Sequence, residues 1–73
     1  DAKSEFQMWA QGRYNITPPY EVVDSSGPDH AKTFTVQAYI GEAPWGEGTG
    51  SSKQLAAQAA AAKALARALG QDN

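Results

Sequence analysis

The sequence has no cysteine, and it has only one histidine and one methionine in 73 residues. Without cysteine, neither a disulfide framework nor a thiolate metal site is available to staple the fold. A single histidine removes the usual histidine metal clusters. No apolar run reaches membrane-spanning length, and the opening Asp1-Ala2-Lys3-Ser4-Glu5 lacks the features of a signal peptide. Positive charge is also scarce. Six Lys and Arg stand against eight Asp and Glu, a formal charge of −2, which argues against holding polyanions by bulk attraction. A nucleic-acid partner would have to be recognised by placed contacts. The length admits one domain, near the size at which a single core is marginal.

What is present is organised around Gly46 to Leu69. Gly46, Gly48 and Gly50 alternate, so one face of an extended segment carries no side chains and another element can approach it closely. Ser51 and Ser52 then offer helix-capping hydroxyls ahead of an alanine-rich tract. At about 100° per residue, Leu55, Ala59, Ala62, Ala66 and Leu69 fall on one apolar stripe, with Lys53, Lys63 and Arg67 opposite. Alanine combines high helix propensity with a small side chain, which lets a helix lie close to a sheet. A capped helix start with a lysine in its first turn is also suited to an anion.

Upstream, residues 2–11 read as a helix with Ala2, Phe6, Trp9 and Ala10 inward and Ser4, Gln7, Met8 and Gln11 outward. Gly12 is the expected stop, and Pro18-Pro19 forbids continuation. Asn15-Ile16-Thr17 spells a glycosylation sequon, taken as chance in a chain without a secretory signal. Strands are expected over about 19–25, 32–41 and 44–51, and the second helix over about 52–69. In the middle strand Phe34, Val36, Ala38 and Ile40 alternate with Thr33, Thr35, Gln37 and Tyr39, giving one core face. Ser25-Ser26-Gly27-Pro28-Asp29 and Gly41 to Pro44 supply the turns. Short connections favour antiparallel neighbours. The expectation for residues 1–73 is therefore a single α+β domain of order α-β-β-β-α, its two helices packed on one face of a three-stranded antiparallel sheet.

Catalytic patterns do not emerge. A nucleotide loop needs Gly-Lys-Ser/Thr, whereas Lys53 stands between Ser52 and Gln54. Asp1, Glu5, Asp24, Asp29, Glu42 and Glu47 are scattered over termini and turns, without a pair at metal-site spacing on a helix. Tyr39 and Trp45 are not spaced as a base-stacking platform.

Within the order α-β-β-β-α, Gly27-Pro28-Asp29-His30 before Phe34, then Gly48-Thr49-Gly50-Ser51-Ser52-Lys53 and the alanine-rich helix, resemble the double-stranded-RNA-binding domain family. Asp1-Ala2-Lys3-Ser4-Glu5-Phe6-Gln7 and Gly27 to Phe34 look most like the C-terminal domain of bacterial ribonuclease III. The resemblance implies recognition of A-form geometry over about 16 base pairs. It implies three contact regions: Ser4, Gln7 and Met8 of the first helix in one minor groove; Pro28 and His30, with Asp29 between them, of the first inter-strand loop in the next; and Ser52, Lys53 and Gln54 on the phosphates between. Lys32 reads either as a strand-edge gatekeeper against aggregation or as an outlying phosphate contact. Gln7 can donate and accept, the Pro28 carbonyl can accept from a 2′-hydroxyl, and His30 offers a ring nitrogen.

The sequence departs from the family at Met8, where an acidic residue is common, and at Gln54 and Ala57, where further basic residues are usual. The resemblance also implies no cofactor in this chain. Mg2+ is expected only in a nuclease domain that this chain lacks, and a homodimer only through that same domain. The expected partner is duplex RNA in the cytoplasm, with no membrane and no preference for DNA. The other reading is a protein-interaction module that keeps the fold and has lost RNA.

Overall fold

The structure, a computed structural model, describes residues 1–71. Asp72 and Asn73, the end of the expected domain, lie outside the described residues. The elements are α1 (Ala2–Tyr14), β1 (Tyr20–Ser26), β2 (Thr33–Ile40), β3 (Ala43–Gly50) and α2 (Lys53–Gln71). The strands form one antiparallel sheet in the order β1-β2-β3, and the helices cover one face of it. None of the described helices is long and apolar enough to cross a membrane.

Asp1 caps α1, its carboxylate accepting the Ser4 N–H at 2.9 Å. Gly12 does not end this helix, contrary to expectation. The stop is Asn15, which adopts the left-handed conformation (φ 57°) and donates its N–H to the Gln11 carbonyl at 2.9 Å. Asparagine tolerates that conformation almost as glycine does. The Asn-Ile-Thr triplet therefore has a structural reason to begin with asparagine.

The turn between β2 and β3 is also shorter than expected, only Gly41 and Glu42, with Gly41 at φ 59°. Pro44 lies inside β3, on the free edge of the sheet where a missing N–H costs no ladder bond. Pairing runs Ala38 to Gly46 and then Tyr39 to Pro44, so Trp45 is an extra residue. This bulge turns Trp45 towards the helices. Its ring lies 5.3 Å from that of Trp9 and 6.4 Å from that of Phe6.

The larger correction concerns α2. Leu55 and Leu69, expected at the ends of the buried stripe, are 57% and 52% exposed. The buried face is Ala56, Ala57, Ala60, Ala61, Ala64 and Ala68, while Ala62 and Ala66 face solvent. The cause lies across the contact. Gly46, Gly48 and Gly50 pair with Ala38, Val36 and Phe34 and so point at α2. A methyl group added at Gly46 would fall 2.5 Å from the Ala60 carbonyl oxygen, and one at Gly50 2.7 Å from the Ala56 nitrogen. At Gly48 it would meet the backbone of Ala59 and Ala60 closer still. Helix and strand meet backbone to backbone, with no room between them for leucine. Hydrophobic periodicity favoured the larger side chains; the distance between the elements favours the smaller.

Two glycine substitutions should separate these effects. Gly48→Ala forces α2 off the sheet, and we expect a loss of at least about 3 kcal/mol in urea unfolding. Gly12→Ala meets nothing within 4 Å in a helical backbone, and should stabilise by about 0.5–1 kcal/mol.

Candidate nucleic-acid interface

The close α2–β3 contact fixes where α2 starts, and with it the arrangement of one end of the molecule. The Lys53 ammonium lies 5.8 Å from the centroid of Phe34, which pairs with Ser25 of β1 and Gly50 of β3. The start of α2 therefore sits over the end of the sheet from which the β1–β2 loop leaves. The Lys3 N–H donates to Gln58 Oε1 at 3.2 Å, while Trp9 shares a cleft with Leu65 and Leu69 further along. The helices thus run side by side in the same direction, and their N-terminal ends lie together. Ser4, the β1–β2 loop and Ser52-Lys53-Gln54 all emerge at this end.

On α1, Ser4, Gln7, Met8 and Gln11 line an open hollow of about 410 Å³ and are all exposed. Met8 is 75% exposed. This face is polar and uncharged except for its methionine, a surface of donors and acceptors bordered by a thioether.

The β1–β2 loop is closed by its own backbone. Ala31 donates its N–H to the Pro28 carbonyl at 2.9 Å, and Gly27 adopts φ 91°. A Cβ at Gly27 would lie 2.6 Å from the Ala31 oxygen, so the turn requires glycine twice over. His30 does not hold this turn. Its ring is exposed and has no hydrogen-bond partner among the described residues. The Pro28 carbonyl, expected to accept from a 2′-hydroxyl, is already engaged in part, since one lone pair serves Ala31 and one remains. Lys32 and Asp29 form an exposed ion pair with Nζ and Oδ1 3.7 Å apart. The charge of Lys32 is thereby shared with a neighbour that would itself repel phosphate.

At the start of α2, Ser52 Oγ accepts the Leu55 N–H at 3.1 Å and the Ser52 carbonyl accepts the Ala56 N–H at 2.9 Å. The hydroxyl proton of Ser52 stays available to an outside acceptor. The Lys53 and Gln54 amides belong to the first turn, which has no intrahelical acceptors, and no acidic residue stands there. Gln54 is exposed. Ala57 is different, being only 7% exposed. It lines a groove of about 240 Å³ with Tyr20, Val22, Val36, Lys53 and Gln54. A lysine at 57 would not sit freely on the surface beside Lys53 but would have to thread its stem along this groove.

The opposite face of the sheet is chemically distinct. The Tyr39 hydroxyl donates to Gln37 Oε1 at 2.9 Å, and Gln37 Nε2 donates to Glu47 Oε1 at 3.1 Å. Glu21 and Asp24, paired with Gln37 and Thr35, stand on the same face. Trp45 is on the helix side, where Arg67 stacks 4.1 Å from its ring centroid and donates to the Pro44 carbonyl at 3.2 Å. No aromatic pair is left to stack single-stranded bases on the open face, which carries carboxylates. No cluster of three metal-ligating side chains occurs among the described residues.

The family model described as "Double-stranded RNA binding motif" matches residues 2–67. The chain is similar to a protein named Ribonuclease 3 from Geobacter sulfurreducens, 52% identical over 67 residues, which are 92% of this chain and 27% of that protein. It is similar to another of that name from Allorhizobium ampelinum, 48% identical over 67 residues, 92% of this chain and 28% of the relative. A third, from Cereibacter sphaeroides, is 45% identical over 73 residues, all of this chain and 32% of the relative. The chain spans less than a third of the length of these curated relatives. The chain belongs to the double-stranded RNA binding motif family.

Proposed function

We propose that this domain holds double-stranded RNA, recognising A-form shape through two minor grooves and the phosphates between them, as the substrate-holding module of a ribonuclease III. The observation that carries this reading is the convergence of α1, the β1–β2 loop and the start of α2 at one end of the molecule. The contact set is Ser4, Gln7 and Met8, then Pro28, Asp29, His30 and Lys32, then Ser52, Lys53 and Gln54. Donors and acceptors on the first two regions suit 2′-hydroxyls and minor-groove edges, and cationic and amide groups on the third suit phosphate. The domain performs no chemistry in this reading. Cleavage, its Mg2+ and dimer contacts belong to a nuclease domain elsewhere in the parent, and the parent works in the cytoplasm.

The test is titration of the domain with a duplex RNA, the same sequence as duplex DNA, and the single strand, at one salt concentration. Duplex RNA should bind tightest, because the minor-groove groups act on the 2′-hydroxyl. Equal affinity for the two duplexes would overturn the minor-groove assignment. Failure to bind any nucleic acid would favour a protein-interaction module.

His30→Ala should weaken duplex binding about fivefold, the value of one lost hydrogen bond. Because the backbone closes the loop, unfolding free energy should move by less than about 0.5 kcal/mol. Gln54→Lys adds a cation at an exposed first-turn position. It should tighten duplex binding at low salt and steepen the slope of log affinity against log salt by about 0.9, the value for one phosphate on B-DNA.

A further inference from the structure

The three contact regions leave one cation of this end unassigned. Lys3 is half-buried, and its ammonium lies 5.1 Å from the centroid of the Tyr20 ring, within cation–π range. Its N–H is tied to Gln58, one helical turn beyond Gln54. Around α1, Lys3 and Gln7 are separated by four residues, or about 40° at 100° per residue. Lys3 therefore stands on the flank of α1 between the Gln7 face and α2. Tyr20, beneath it, is a wall of the groove that contains Ala57, Lys53 and Gln54.

Two properties make this cation available. Lys3 forms no ion pair among the described residues, in contrast to Lys32, which is engaged with Asp29. Its ammonium is held over the Tyr20 ring, so it is already positioned and loses little rotamer freedom on meeting an anion. The one acidic residue lining the neighbouring groove is Glu21, which points to the open face of the sheet through its pairing with Gln37.

We propose that Lys3 is a phosphate-binding residue, supplying from α1 a backbone contact adjacent to Lys53 that the start of α2, with Gln54 and Ala57, does not supply. Its ligand is the phosphodiester backbone between the two minor grooves, and the inference rests on the duplex-binding reading above. Lys3 and Lys53 then grip the backbone from two different helices. Contacts from both helices constrain the direction of the duplex across the domain, which neighbouring lysines on one helix do less well.

The experiment compares wild type, Lys3→Met, Lys3→Arg and the control Lys63→Met for duplex RNA binding across a salt series, with thermal melting of each. Lys3→Met keeps an apolar stem over Tyr20 and removes the charge. It should lower duplex affinity about fivefold at low salt and flatten the log–log slope by about 0.9, the value for one phosphate. Lys3→Arg should keep the wild-type slope, and Lys63→Met, an exposed cation of α2 outside the contact end, should keep both slope and affinity. A wild-type slope in Lys3→Met overturns the proposal. So does a loss of affinity shared by Lys3→Met and Lys3→Arg with a lowered melting temperature, which would make Lys3 structural. If the wild type itself shows no salt-dependent duplex binding, the duplex reading fails and this inference fails with it.

Discussion

The structure depends on the direct contact between the backbone of β3 and the alanine face of α2. Three alternate glycines remove one layer of side chains from the strand, and six alanines thin the matching layer on the helix. The helix can then lie close to the sheet, and its axis follows the strand with little rotational freedom. Its first turn consequently projects over Phe34 and the root of the β1–β2 loop. The position of the candidate phosphate site is set by residues that could never touch a phosphate.

A core thinned in this way must recover apolar mass elsewhere. Among the described residues, the only large side chains that are fully buried are Phe6 and Val36. The mass is recovered in the aromatic group of Phe6, Trp9, Tyr14 and Trp45, where Arg67 closes over Trp45. That group holds α1, α2 and β3 together at the end remote from Lys53. Packing is concentrated at one end and exposed polar groups at the other. The Trp45 bulge is what allows this, since regular pairing would have turned the ring to the open face of the sheet.

Much of this was legible in the sequence, and the failures have a common origin. The period-two alternation of Phe34 to Ile40 gave the middle strand and its core face, and Phe6, Trp9 and Ala10 gave the inner face of α1. The Gly-x-Gly-x-Gly pattern announced a close approach but not its partner. Once α2 is that partner, hydrophobicity ceases to rank residues for burial, and Leu55 and Leu69 yield to Ala56 and Ala68. Gly12 was read as a stop on propensity alone, whereas the helix ends where a residue can satisfy the Gln11 carbonyl from the left-handed conformation. Ala57 stands where the family usually carries a basic residue, yet that line of the helix is already turning into the core. Nothing in the sequence locates Lys3, a lone lysine in a first turn; only the tertiary contacts with Tyr20 and Gln58 do so.

Charge distribution explains how an acidic domain can still face a polyanion. Glu21, Asp24 and Glu47 stand on the open face of the sheet, the face turned away from the helices. At about 0.15 M ionic strength the Debye length is about 8 Å, so charges on opposite faces are largely screened from one another. In the proposed reading a phosphate meets Lys3, Lys53, the Ser52 hydroxyl and two first-turn amides, with the carboxylates of Asp1, Glu5 and Asp29 at the same end of the molecule, and this local set matters more than the formal charge of −2. Few full charges in that set imply a shallow salt dependence. A larger share of discrimination falls to the uncharged groups of α1 and the β1–β2 loop, whose contacts depend on groove shape and 2′-hydroxyls. Such a surface gains less from a phosphate backbone in the wrong geometry than a lysine-rich one would. Low charge thus favours selectivity for duplex form at the expense of affinity, and tethering to a larger protein can restore the affinity through effective concentration.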